Sequence, residues 1–152
     1  WRGLINANLS RQHRHEAARW LERYAKLFPN STAASDRDLW KAVIYGFTDA
    51  KQLEPAADWF LRYQREFASH GAPPDRELWT AIIYGYAEAK EFQQAADWLL
   101  RYRQAYPDDL KALDELVEIY IQLNHKGKAI ALLEKYFSEH KPLPTNSPNH
   151  EP

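Results

Sequence analysis

The residues that could do chemistry are histidines and acidic residues, since the chain has no cysteine. The six histidines are His13, His15, His70, His125, His140 and His150. His13 and His15 form an H-x-H pair that could offer two imidazoles to a metal ion, but a zinc site needs further ligands converging from elsewhere. We interpret five of the six histidines as residues of turns, helix ends or the tail, and we expect no metal site.

Two pairs of acidic residues could serve acid–base catalysis by spacing alone, namely Asp36 with Asp38 and Asp75 with Glu77. Each pair stands where a helix is predicted to begin, and negative charge is favoured there by the helix dipole. No serine–histidine–aspartate pattern, nucleophile elbow or phosphate-binding glycine loop accompanies them. We therefore expect no enzyme activity and no cofactor.

Composition and charge narrow the class of partner. Twenty basic and 21 acidic residues give a net charge of −1, whereas nucleic acids and membrane surfaces attract a concentrated positive field. No run of about 18 apolar residues is present, so we expect no membrane insertion. The chain has no methionine, even at position 1, and we interpret it as a portion of a longer, soluble protein, either cytoplasmic or bacterial periplasmic.

The elements that position these residues recur at fixed distances. Trp79 lies 39 residues after Trp40, and Tyr102 lies 39 residues after Tyr63. A fourth copy is five residues shorter, because the step from Tyr102 to its equivalent, Tyr136, is 34. Such a period is typical of a helical-repeat array.

Apolar residues at helical spacing predict two helices in each copy. The predicted copies span 1–35, 36–74, 75–108 and 109–140, and together they form one repeat domain over 1–140. Turns are predicted near Lys51 in copy two and at Gly127 in copy four. Residues 141–152 read PLPTNSPNHEP after a lysine, a composition typical of a disordered or linker tail.

Register also predicts the packing. The recurring tryptophans are interpreted as core and inter-repeat residues rather than exposed binding rings. Gly46 and Gly85 stand at the same register inside first helices, where glycine costs about 1 kcal/mol relative to alanine. We therefore expect a neighbouring helix to pack against the bare backbone at both positions.

Copy three resembles a tetratricopeptide repeat. Its Trp79, Ile82, Tyr86, Ala95, Leu99 and Pro107 follow the motif of that family in order, and the 34-residue step is the family's length. The resemblance covers about 1–140. It implies an all-α, right-handed solenoid of about four antiparallel helix pairs.

The pentatricopeptide repeat is the alternative resemblance. The segment GAPPDRELWTAIIYGYAEAKEFQQAADWLL is similar to that family's link and helix start. The resemblance implies single-stranded RNA binding through a polar side chain early in each first helix. Ala42 and Ala81 stand at those positions and offer no hydrogen-bonding side chain, which argues against base readout and nucleic-acid binding.

By register with the tetratricopeptide family, one face of the first helices lines a concave groove. The predicted partner-binding residues are Arg2, Asn6, Lys41, Tyr45, Thr48, Thr80, Tyr84, Glu88, Asp114, Glu118 and Ile121. The groove runs from cationic through tyrosine-bearing to acidic. The sequence thus predicts a non-catalytic scaffold for a protein or peptide partner, with homodimer formation through exposed repeat ends as a further expectation.

Overall fold

A computed structural model describes residues 1–29, 34–68 and 75–140, and these ranges contain eight helices and no β-strand. In chain order the helices are α1 (Arg2–Ser10), α2 (Arg14–Leu27), α3 (Ala34–Asp49), α4 (Leu53–Ala68), α5 (Arg76–Glu88), α6 (Phe92–Ala105), α7 (Leu110–Gln122) and α8 (Lys126–Glu139). The predicted all-α helical-repeat class is confirmed. The tail predicted at 141–152 lies outside the described residues.

Helices pack on their neighbours in sequence. In the first compact unit, residues 1–98, α1 pairs with α2 and α3 pairs with α4, and the first helices α1, α3 and α5 contact one another in succession. The second unit begins at Leu99, within α6, and contains the pair α7 and α8. None of the described helices is long and apolar enough to cross a membrane.

The same turn joins the two helices of every copy. One residue adopts a left-handed backbone conformation with φ between 60° and 64°, and these residues are Gln12, Lys51, Lys90 and Asn124. In copy three the Lys90 N–H donates to the Ala87 carbonyl and the next N–H donates to the Tyr86 carbonyl, at 3.0 and 2.9 Å. The predicted turn at Gly127 is wrong, because Gly127 lies within α8 and Asn124 makes the turn.

Pairs of tryptophans form the centre of each full copy. Ring centroids lie 5.4 Å apart in the pair Trp40 and Trp59, and 5.7 Å apart in the pair Trp79 and Trp98, both edge to face. All four rings are at most 8% exposed. The interpretation of these tryptophans as packing residues is confirmed. Trp1 keeps the pairing geometry but is 44% exposed.

Gly46 and Gly85 each meet a leucine from another helix. A Cβ placed on Gly46 would lie 3.1 Å from Leu9 Cδ2, and one placed on Gly85 would lie 2.4 Å from Leu53 Cδ2. Leu53 is itself buried. The expected close approach to the bare backbone is confirmed at both positions.

We expect Gly85→Ala to destabilise the protein by about 1 kcal/mol, because overpacking against Leu53 costs about 1–3 kcal/mol and the gain in helix propensity is only about 1 kcal/mol. Urea unfolding measures the change. Gly127→Ala is the matched control, since nothing lies within 4 Å of a Cβ there, and it should be neutral or stabilising. An unchanged stability in Gly85→Ala would show that Leu53 moves aside at no cost.

Candidate functional site

Eight of the eleven predicted groove residues lie in the first unit, on first helices that contact one another. They are Arg2 and Asn6 on α1, Lys41, Tyr45 and Thr48 on α3, and Thr80, Tyr84 and Glu88 on α5. All eight are exposed or partly exposed. The structure thus places these eight on successive, contacting helices of the first unit.

The other three predicted residues belong to the second unit. Asp114, Glu118 and Ile121 lie on α7, and their spacing places them along one side of that helix. All three side chains are exposed, with Ile121 at 51%. They form an acidic strip that ends in an apolar residue.

Both cations of the first-unit face are engaged by aspartates. Lys41 Nζ lies 3.0 Å from Asp75 Oδ1, and Arg2 lies 3.9 Å from Asp36 Oδ1. Each aspartate stands at the start of the following first helix, in its first turn or at its N-cap. The positive charge that the sequence places on this face is therefore offset locally.

The same aspartates accept a hydrogen bond from a tyrosine of the preceding second helix. The Tyr24 hydroxyl donates to Asp36 Oδ1 at 2.9 Å, and the Tyr63 hydroxyl donates to Asp75 Oδ2. In the second unit the Tyr102 hydroxyl donates to Asp109 Oδ2 at 2.5 Å. We call these contacts the tyrosine–aspartate links.

Sequence reasoning missed the tyrosine–aspartate links, although the repeat register contains a sign of them. Tyrosine and aspartate are 12 residues apart in the first two links and 7 apart in the third, so the fourth copy's five-residue shortening falls between them. Asp109 is also the N-cap of α7, where its Oδ1 accepts from the Ala112 N–H at 3.2 Å. Reading the aspartates as helix-start charges therefore gave only one of their roles.

Tyr45 lies in an anionic environment. Burial, followed by the negative charges of Glu77, Asp75 and Asp49, raises the pKa of Tyr45. Thr48 donates to a backbone carbonyl of its own helix, that of Tyr45, at 3.0 Å. The centre of the face therefore presents a tyrosine ring among carboxylates.

The α5 part of the face is also acidic. Tyr84 is 39% exposed and Glu88, one turn further along the helix, is exposed as well. Thr80 donates to the Arg76 carbonyl at 2.8 Å, within the same helix. Ala81 stands beside them and is half-buried, as is Ala42 on α3. Neither alanine gives the face a group that reads a base edge.

A separate polar cleft of about 380 Å³ lies in the first unit at the turns of copies two and three. Its lining includes His15, Gln52, Glu54, Tyr86 and Glu91. Burial, followed by the charges of Glu54 and Glu91, raises the pKa of Tyr86. Across residues 1–29, 34–68 and 75–140, no three histidine or acidic side chains converge closely enough to hold a metal ion.

The fold and face together define an all-α helical-repeat array. A scan against models of protein families finds no match to this chain, and a search of curated proteins finds no similar sequence. The class of the protein therefore rests on its internal repeat and on the packing of its helices.

We expect Tyr63→Phe to lower the free energy of unfolding by about 1.5–3 kcal/mol, the usual contribution of a hydrogen bond to a charged group. Tyr136→Phe is the matched control, because Tyr136 holds the equivalent register position and no described residue accepts a hydrogen bond from it. Urea unfolding at neutral pH compares the variants. Equal losses in both would show that the link to Asp75 adds nothing to stability.

The same link predicts a pH dependence. Burial, then the hydrogen bond to Asp75 and its negative charge, raise the pKa of Tyr63 above the ordinary value of 10.0. Its contribution to stability is therefore fully present below pH 10 and is lost as the pH rises through the higher pKa of the folded state. We expect the stability gap between the wild type and Tyr63→Phe to narrow in alkali, measured by urea unfolding at a series of alkaline pH values. A constant gap would contradict this account.

Proposed function

We propose that this chain is a tetratricopeptide-like, non-catalytic scaffold that binds a protein or peptide partner on the polar face of its first helices. The observation that carries the proposal is the direct succession of α1, α3 and α5, which places Tyr45 and Tyr84 on neighbouring helices with part of each ring accessible. The motif tryptophans of copies two and three are buried and so are committed to packing. A wide polar face with accessible tyrosines is suited to recognising a partner.

The charges of the face favour a partner with basic residues. Lys41 and Arg2 are paired with aspartates, whereas Asp49, Glu77 and Glu88 leave exposed carboxylates on α3 and α5. An ammonium or guanidinium group would be attracted to these carboxylates and could also lie over a tyrosine ring. The same carboxylates repel phosphate groups, which disfavours the RNA-binding alternative.

Two labelled peptides of ten residues test this proposal, one alternating glycine with lysine and the other alternating glycine with glutamate. We expect the basic peptide to bind the wild-type chain, the acidic peptide not to bind, and Glu88→Lys to weaken binding about fivefold, because reversing one exposed charge removes an attraction and adds a repulsion. Fluorescence anisotropy at low salt measures the affinities.

Glu139→Lys is the matched control, since Glu139 is exposed on α8, outside the predicted face. Circular dichroism confirms that both variants stay helical. Equal weakening by the two variants would indicate general attraction to an acidic protein and would overturn the face as the binding site. Tight, salt-sensitive binding of a single-stranded oligouridine instead would support the RNA-binding reading.

A further inference from the structure

The last helix exposes positions that are buried in the earlier copies. Three positions of the second helix are at most 7% exposed in copies two and three: Ala57, Phe60 and Tyr63, and then Ala96, Leu99 and Tyr102. The same positions in copy four are Ile130, Leu133 and Tyr136. Ile130 is 55% exposed, and Leu133 and Tyr136 are partly exposed. With Phe137, which is 62% exposed, they form what we call the α8 edge face.

Copy two shows what covers these positions in the array. The Phe60 ring packs edge to face against Trp79, with centroids 5.1 Å apart, and the Tyr63 hydroxyl donates to Asp75. Asp75 is the N-cap of α5, and Trp79 lies one turn into that helix. The start of the following first helix therefore supplies both contacts, one polar and one apolar.

The pattern of residues at the start of this covering helix recurs along the sequence. A large apolar residue follows the linking aspartate by four residues in every case: Asp36 and Trp40, Asp75 and Trp79, Asp109 and Leu113. This spacing places both side chains on one side of a helix, one turn apart. With this spacing, the start of one helix can contact both the tyrosine and the apolar residue of the preceding second helix.

In copy four the tyrosine of this arrangement has no carboxylate partner among the residues that the structure describes. No residue described by the structure accepts a hydrogen bond from the Tyr136 hydroxyl, and the ring instead stacks on His140 with centroids 4.3 Å apart. Beside it, Ile130 and Phe137 expose apolar surface that the earlier copies keep covered or replace with other side chains. The Tyr136 hydroxyl and the exposed apolar groups beside it could make the same two kinds of contact that α5 supplies in copy two.

We infer that the α8 edge face is a docking surface for a helix of a partner protein that begins with an aspartate and carries a tryptophan or leucine four residues later. In repeat register, the inferred contact is equivalent to the one that α4 forms with α5. It uses residues different from those of the proposed first-helix face, so the two binding activities can be lost separately.

Two other occupants fit the surface less well. A second copy of this chain would offer α1, whose N-cap is Trp1 and whose first turn has no acidic residue. Residues 141–152 include no aspartate. Neither therefore supplies an aspartate that is followed four residues later by a tryptophan or leucine.

A peptide with the sequence of residues 75–106 is the probe, because it begins with Asp75 and carries Trp79. The chain has no cysteine, so Ser138→Cys gives a single site for a fluorophore on α8. We expect saturable binding that Phe137→Glu abolishes. Tyr136→Phe in the chain, or Asp75→Asn in the probe, should each weaken binding about tenfold, with no further loss when the two are combined. Lys135→Glu, exposed on the opposite side of α8, should leave binding unchanged.

A second experiment does not require tight binding, because the segment is attached covalently. The same segment is appended after Pro152 of the full chain, and we expect it to raise the melting temperature, with the increase lost in Tyr136→Phe. No stabilisation in this form, or a gain insensitive to Tyr136, overturns the inference. Self-association of the wild type that Phe137→Glu abolishes identifies a second copy as the occupant and also overturns it. So does tighter binding of the peptide once residues 141–152 are deleted, since the tail would then be the occupant.

Discussion

The hydrogen bond from a second-helix tyrosine to the aspartate of the next first helix is the contact on which the arrangement of the copies depends. Asp36 is only 4% exposed, and a buried carboxylate is costly unless polar partners surround it. Tyr24 and Arg2 supply those partners from both helices of the preceding copy. One side chain thereby fixes the start of a helix relative to the hairpin before it, while the apolar contacts around it provide most of the stabilisation.

Much of the fold could be predicted because its determinants are periodic. The register of Trp40 and Trp79 anticipated their burial, and glycines at 46 and 85 anticipated close helix packing. The turn of copy four was misplaced because glycine is the usual left-handed residue, whereas here Asn124 adopts that conformation and Gly127 is helical. Composition alone does not reveal which non-glycine residue a turn will place at positive φ.

The candidate site was harder to predict, for an electrostatic reason. Helical register predicted the residues of the face, and eight of them lie on successive first helices. Register gives no information about which charges are paired, because Lys41 and Asp75 are distant in sequence and meet only through the packing of α3 with α5. The sequence predicts a gradient from cationic to acidic along the face. Because the cations are paired, the surface around Tyr45 is instead mainly acidic.

The variable spacing of the tyrosine–aspartate links has a consequence for how such a chain can evolve. Twelve residues separate the partners in two links and seven in the third, yet all three hydrogen bonds form. The number of residues between the partners is thus not tightly constrained, since doubling the length of a loop costs only about 0.6 kcal/mol. Insertions and deletions between copies should be tolerated, whereas the same changes inside a helix would move tyrosine and aspartate out of phase. Copy length can therefore drift along the array while the stacking of its helices is preserved.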